Sequence, residues 1–433
     1  MKKFTDTVLK SCAPLSVAGA ALFAFSAPAE AGSIKNGNAT DLIVYGQVNR
    51  TFMVFDDGDE TGYRNMDGDA GSTRFGLRAS GKVNESVSVG ARLEAELQSN
   101  DPATINQTNE SDSLRSFKER LAFVYIDHKQ FGKLTLGQAS AVSDGMSDGL
   151  DLGYAAGAFD GVETGRRNVN GLLFREDNTG AALSSRTIGN FFGTYDRGRQ
   201  DQINYVTPNV NGLRLEAGLY DAGDWGAGVL YDNKFGAFKV RGRAFFESLT
   251  NSSTSEGAWQ LGASVMHDSG ISVTGLYGQS LAVDGAEEDA RWAATVGYTA
   301  NMNTLGPTGI GVNVSGSQDR TVVGSEAIAV GLGVNQQIKS AGTNVYGSVA
   351  FWDVDMPAGQ TPLDQIVTIA GWDAGQVLNA ASRGAPVLRS SQQPNSGNGR
   401  PPGRPFFYDW RGIRTPSAIF PQAGGIVTRG GFL

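Results

Sequence analysis

The feature that most limits what this chain can fold into is a two-residue beat that places charge where a soluble protein would place its core. In segment 87–98, Arg92, Glu94, Glu96 and Gln98 alternate with Val89, Ala91, Leu93 and Leu97. In 74–80, Arg74, Gly76, Arg78 and Ser80 oppose Phe75, Leu77 and Ala79. A strand sends alternate side chains to opposite faces, so each segment has one apolar and one charged face. Segment 120–138 repeats the pattern as two strands joined by a tight turn. Leu121, Phe123 and Tyr125 share one face there, with Arg120, Ala122 and Val124 on the other; after the turn, Leu134 and Leu136 oppose Lys133, Thr135 and Gly137. A long acidic, glycine-rich stretch then runs to about residue 198. Strands that are apolar outside and charged inside, feeding an oversized loop, describe a water-filled barrel in a membrane.

The N-terminus points to export. Lys2, Lys3 and Lys10 precede an apolar run over 13–25, and Ala29-Glu30-Ala31 is a small-x-small cleavage site, so residues 1–31 are expected to be a signal peptide cut after Ala31. The run is too short to span a membrane comfortably as a helix. Cys12, the chain's single cysteine, lies inside it, so no disulfide can staple the mature chain. The formal charge of −8 argues against nucleic acid as a partner. Hydropathy that averages out suits a barrel, in which every second residue meets lipid. The 59 glycines suit many twisted strands better than helices.

From Asp41 onward the alternation predicts sixteen strands, near 41–54, 73–82, 86–98, 117–127, 131–140, 199–207, 212–220, 224–232, 237–247, 257–267, 271–281, 289–300, 309–318, 326–338, 342–354 and 364–370. Tight turns at 83–85, 128–130, 208–211, 233–236 and 268–270 alternate with longer outward loops at 55–72, 99–116, 141–198, 248–256, 282–288 and 319–325. The fold class expected is an all-β transmembrane antiparallel barrel occupying 32–370. Closure removes sheet edges and satisfies every backbone amide in lipid. Residues 371–433 break the pattern with a Pro/Gly/Arg-rich sequence, read as a disordered or frame-shifted tail.

Three patches carry a family likeness: Ser72-Thr-Arg-Phe-Gly-Leu-Arg-Ala-Ser-Gly81, the hairpin 120–138, and Arg199-Gln-Asp-Gln-Ile-Asn-Tyr-Val-Thr-Pro208. In their order and spacing the chain resembles the general bacterial porins of the trimeric, sixteen-stranded type, over about 40–370. The resemblance implies passive diffusion of small hydrophilic solutes and ions across the outer membrane, with the third loop folded inward to narrow the pore. It also implies a homotrimer among outer-membrane lipid and lipopolysaccharide, with no cofactor and no metal.

An arginine facing lipid at mid-depth costs about 2–4 kcal/mol, so the charged faces must line water. Arg74, Arg78, Arg92 and Arg120 therefore form a candidate basic wall on adjacent strands. In the family, such residues oppose acids of the third loop, which here offers Asp144, Asp148, Asp151, Asp160 and Glu163; Arg166 and Arg167 in the same loop soften its charge. The alternative is that the arginines pair with Glu94 or Glu96 and only tighten the wall. Arg50 falls on the lipid-facing parity and is read as a rim residue.

Other constellations are weaker. The Asp-rich stretch 56–69 lacks the ligand spacing of a calcium loop. His128 and His267 adjoin predicted turns, poor positions for the base of an outer-membrane enzyme. Trp225, Tyr231, Trp259, Trp292, Tyr298 and Trp352 are expected to anchor strand ends at the membrane interfaces, since a barrel this wide leaves no dry core to fill. A substrate-selective channel, an enzyme and an adhesin or self-plugged barrel are the rival readings. Lumen faces show no obvious aromatic ladder, which weakens a sugar-specific channel.

Overall fold

A computed structural model describes residues 34–35, 40–112, 116–177, 182–250, 252–371 and 378–379. The expected signal peptide lies outside the described residues, as does the expected tail apart from Gly371 and the pair Leu378–Asn379. Sixteen long strands account for most of the rest. β1 runs through Thr40–Gln47 and Arg50–Asp56, and β2 through Thr61–Asp67 and Arg74–Lys82. β3 to β8 are Val87–Gln98, Ser116–His128, Gly132–Ser140, Arg199–Val206, Leu213–Tyr220 and Trp225–Phe235. β9 to β12 are Phe238–Ser248, Ser255–His267, Ile271–Ala282 and Ala290–Ala300. β13 to β16 are Thr308–Gln318, Glu326–Ile338, Thr343–Asp355 and Ile366–Gly371.

Each strand pairs antiparallel with its chain neighbours, and the ring returns on itself. Both segments of β1 pair with β2, and the second also pairs with β16, from Val367 opposite Asp56 to Gly371 opposite Phe52. All sixteen predicted strands are present. The expected loop 55–72 is shorter than read: Thr61–Asp67 carries β2 upward, and the 3-10 turn Asp69–Gly71 interrupts it. The turn expected at 233–236 contracts to Gly236 and Ala237, with Gly236 at φ +57°, a left-handed turn conformation that glycine adopts without strain.

The outer face carries Leu77, Leu93, Leu136, Leu215, Val296 and Leu332, all exposed. One strand departs from the expected faces. Opposite Glu94 and Ala95, β4 holds an extra residue at Arg120, so Glu119 pairs with Ala95 and Leu121 with Glu94. A bulge of one residue exchanges the faces of everything beyond it. Arg120 and Lys118 point to the charged face, as do Leu121, Phe123 and Tyr125, whereas Val124 and Ile126 are exposed on the lipid side. The sequence reading of that hairpin placed Leu121, Phe123 and Tyr125 with the outward leucines, and the bulge overturns it. Cysteines placed at Tyr125 and at Val124 in a Cys12-less background should test this. A membrane-impermeant maleimide is expected to label position 125 and to spare position 124; equal labelling would restore uninterrupted alternation.

The barrel also contains a dry core, contrary to expectation. Near the long-loop end, Met53 and Phe55 of β1, Met66 of β2, Trp352 and Val354 of β15 and Ile366 of β16 turn inward. They pack with Ile105, Leu172, Phe174, Ile188, Phe191 and Phe192 from the second and third loops. Trp352 is therefore no interface anchor. It is 1% exposed, its Nε1 donates to Thr368 Oγ1 at 3.0 Å, and its ring meets Phe192 edge-on at 5.0 Å. Trp225 and Tyr298 are exposed on the outer face.

Candidate functional site

Three of the four wall arginines converge on a single carboxylate. β2 and β3 pair Arg74 with Glu96 and Arg78 with Arg92, and the bulge swings Arg120 onto the same face. The Glu94 side chain is wholly buried. It lies 3.5 Å from Arg74 and 2.8 Å from Arg92, and is bonded by Arg120 as well. Tyr45 of β1 completes the group, donating its hydroxyl to Glu94 at 2.7 Å and accepting from Arg92 Nε at 2.6 Å. Glu96 takes Arg120 at 3.2 Å and Lys118 at 2.8 Å. Two carboxylates cannot neutralise Arg74, Arg92, Arg120 and Lys118, so the cluster keeps positive charge. The four arginines also divide. Arg74 and Arg120 are largely enclosed, with side chains 17% and 13% exposed, while Arg92 is 37% exposed. Arg78 is exposed and makes no ion pair among the described residues.

The third loop lies inside the barrel. Its helices α1, Met146–Leu150, and α2, Ala156–Phe159, rest on β9–β10 and β13–β15 respectively. Glycine makes the close approach possible: a Cβ on Gly311 would sit 2.9 Å from Ala155 Cβ, and one on Gly333 would sit 2.7 Å from Phe159 Cε1. Polar wall side chains satisfy the loop's irregular backbone. Leu152 N donates to Ser264 Oγ at 3.0 Å, Tyr154 N to Thr299 Oγ1 at 2.9 Å and Tyr195 N to Gln260 Oε1 at 3.0 Å.

The loop's acids gather mainly on its own arginines. Arg167 reaches Asp148 and Asp160 at 3.1 Å, Glu163 at 3.6 Å and Asp196 at 3.8 Å; Arg166 Nε donates to Glu163 at 2.6 Å. Asp144 lies 3.6 Å from Arg199, and Asp151 is buried, accepting from Gly153 N at 2.7 Å. Of the five acids singled out, Asp148 is the one whose ion-paired side chain stays open, at 38% exposure. Burial raises Asp160 well above the usual carboxylate range and, with Glu163 and Asp148 nearby, raises Asp196 to about 8. Burial pushes Glu163 the same way, but Arg166 and Arg167 overcome it and hold the carboxyl at about 2.

Asp196 gives the loop a pH dependence. Its folded pKa is raised, so the native state keeps a proton that the unfolded chain releases near pH 4. Stability therefore declines as pH rises from about 4 through about 8, and above that the penalty is constant. The unfolding midpoint should fall as pH rises from about 5 to about 8, and Asp196→Asn should flatten that decline. A decline of equal size in the variant would place the effect elsewhere.

Several participants were missed by the sequence reading. Tyr45 carries no charge to flag it. Arg214, Arg241 and Arg243 meet Asp232 at 3.2, 2.7 and 3.0 Å, a second basic cluster on β7–β9 with the same period-two signature as the first. Arg50 bonds Ser99 Oγ at 2.9 Å. In the acidic first loop Asp57 is buried against Arg175 at 2.8 Å and Gln107 at 3.0 Å, and no group of three metal-ligating side chains forms among the described residues. His128 and His267 each accept a turn amide at 3.1 Å.

Over 116 residues the chain is 32% identical to outer membrane porin PhoE of Klebsiella pneumoniae, covering 27% of this chain and 29% of that one. Over 113 residues it is 34% identical to the PhoE of Enterobacter cloacae, covering 26% and 28%. The chain thus spans under a third of the length of these curated relatives. Among solved structures it resembles the anion-selective porin from Comamonas acidovorans, with a TM-score of 0.53 at 19% identity, over 78% of this chain and 99% of that one. The outer-membrane protein OmpT of Vibrio cholerae follows at TM-score 0.50 and 15% identity, over 79% and 99%. Identities this low show the shared fold. The family model of Gram-negative porins matches residues 18–356, which takes in fifteen of the sixteen strands, the wall and the inward loop: the chain belongs to the Gram-negative porin family.

Proposed function

We propose that the chain is a passive diffusion channel of the outer membrane for small hydrophilic solutes and ions, reached after removal of residues 1–31, performing no chemistry on what it passes, and filtering by size and charge where the third loop faces the wall of β2–β4. The observation that carries the reading is the unequal fate of opposite charges. Arg78 stands open to the lumen with no ion pair among the described residues, and Arg92 beside it is half-open, while Asp160 and Glu163 are sequestered by Arg166 and Arg167 and the one open loop acid, Asp148, is itself paired to Arg167. The field in the water column is therefore positive, and anions pass preferentially. The dry core narrows the mouth beside β1, β2, β15 and β16 and leaves Arg78 exposed, which favours a channel over a plugged barrel. Trimers in an outer leaflet of lipopolysaccharide belong to the same proposal.

Purified protein in a planar bilayer should give stepwise, ohmic currents, and a salt gradient should give a reversal potential of anionic sign. Raising ionic strength from about 0.1 M to 1 M shortens the screening length from about 10 Å to 3 Å, so the preference should weaken markedly. A silent bilayer would sink the proposal. A preference untouched by salt would remove fixed charge as its cause.

A further inference from the structure

Beside the exposed arginines lies a layered arrangement of rings and cations that charge filtering alone does not need. Tyr45 lies across Gly76, its ladder partner, where an added Cβ would come within 2.5 Å of the Tyr45 hydroxyl. The Arg92 guanidinium covers that ring at 5.0 Å. On the next pair of strands, Tyr125 of β4 lies across Gly90 of β3 in the same way, with Lys133 Nζ 4.5 Å from its ring centroid. The bulge at Arg120 also brings Phe123 to the lumen as Arg92's partner on β4, with Arg78 its partner on β2. Arg78, Arg92 and Phe123 therefore form a row across three strands, at the spacing of directly opposed side chains.

A recess of about 310 Å³ opens here, lined by Tyr45, Gln47, Arg74, Arg78, Arg92 and Glu94. Glu94 is wholly buried and bonded to three arginines, so it does not repel an anion entering the recess. Arg78 has no ion pair among the described residues and offers a planar fork suited to a carboxylate. Arg92 has one face on Tyr45 and is 37% exposed, leaving guanidinium surface on which a flat π system can stack.

We propose that this recess binds small aromatic carboxylates, the carboxylate on Arg78 and the ring over Arg92 beside Phe123. The proposal rests on the channel reading above and adds a solute class to it. A saturated ring of the same charge keeps the contact with Arg78 and loses the stacking.

The test is single-channel recording in symmetric KCl, with benzoate, cyclohexanecarboxylate or acetate added to one side. Benzoate should produce brief current blockades at a concentration about fivefold or more below that needed by cyclohexanecarboxylate, with acetate weaker still. Arg92→Lys, which keeps the charge and removes the planar face, should erase the difference between the two ring acids. Arg78→Gln should weaken both alike. Equal block of the wild-type channel by both ring acids would overturn the aromatic site and leave the channel standing. Absence of any KCl current would instead overturn the channel reading. Discrimination that persists in Arg92→Lys would move the stacking surface away from Arg92 and overturn the assignment.

Discussion

Replacing Arg78 and Arg92 together by glutamine is expected to carry the reversal potential toward cations, with the anion-to-cation permeability ratio falling by about fivefold at low salt. These two are the wall guanidiniums with open exposure. Arg74 and Arg120 are enclosed against Glu94 and Glu96, so their replacement acts first on the wall itself. Arg120→Gln leaves two buried carboxylates short of a partner and should lower stability by about 2 kcal/mol. Reversal potentials and unfolding midpoints of the two variants separate the roles. Should Arg120→Gln shift selectivity as far as the double variant, with no loss of stability, the division drawn from exposure would fail.

The second large effect should come from the glycine track under α2. Gly311→Val with Gly333→Val places methyl groups where Ala155, Ala158 and Phe159 now sit, within 2.7 to 2.9 Å of an added Cβ. Neither wall nor helix can yield cheaply, so overpacking costs about 1–3 kcal/mol per site. The barrel has its own ladder and should remain closed, and the loop should lift from the wall instead. Expected readouts are larger, noisier single-channel currents and rapid proteolysis within 141–198. The same pair of substitutions at Gly275 and Gly347, where no contact comes within 3.8 Å, should do neither. Wild-type currents from the first variant would show that α2 does not set the bore.

Much of this architecture was legible because the barrel writes its alternation into every strand. Arg92, Glu94 and Glu96 against Ala91, Leu93 and Leu97 state both faces without ambiguity. The bulge was not legible, because a single extra residue leaves no local trace in Lys118-Glu-Arg-Leu-Ala-Phe123. Only the pairing with β3 reveals which position is surplus. The dry core did leave a trace. Thr51-Phe-Met-Val-Phe55 is apolar on both faces, which a strand between lipid and water has no reason to be. Met53 and Phe55 turn out to be the inward half of that run. Arg92 sits on the same strand as Glu94, but Tyr45 and Arg120 reach that carboxylate from 49 and 26 positions away, beyond what one strand's pattern records.

The dry core also bears on how the cylinder is completed. The joint between β1 and β16 spans five opposed positions, Phe52 to Asp56 against Val367 to Gly371, with two more where Tyr45 and Gly46 meet Asn379 and Leu378, against thirteen joining β14 to β15. Behind it, Met53, Trp352, Ile366 and Ala370 from both sides of the joint share one apolar cluster with Leu172, Phe191 and Phe192 from mid-chain. The insert works as a rivet driven from within. Zippering the strands in chain order would bring the two ends together last, at a short seam, and the seam holds once the mid-chain segment has seated across it.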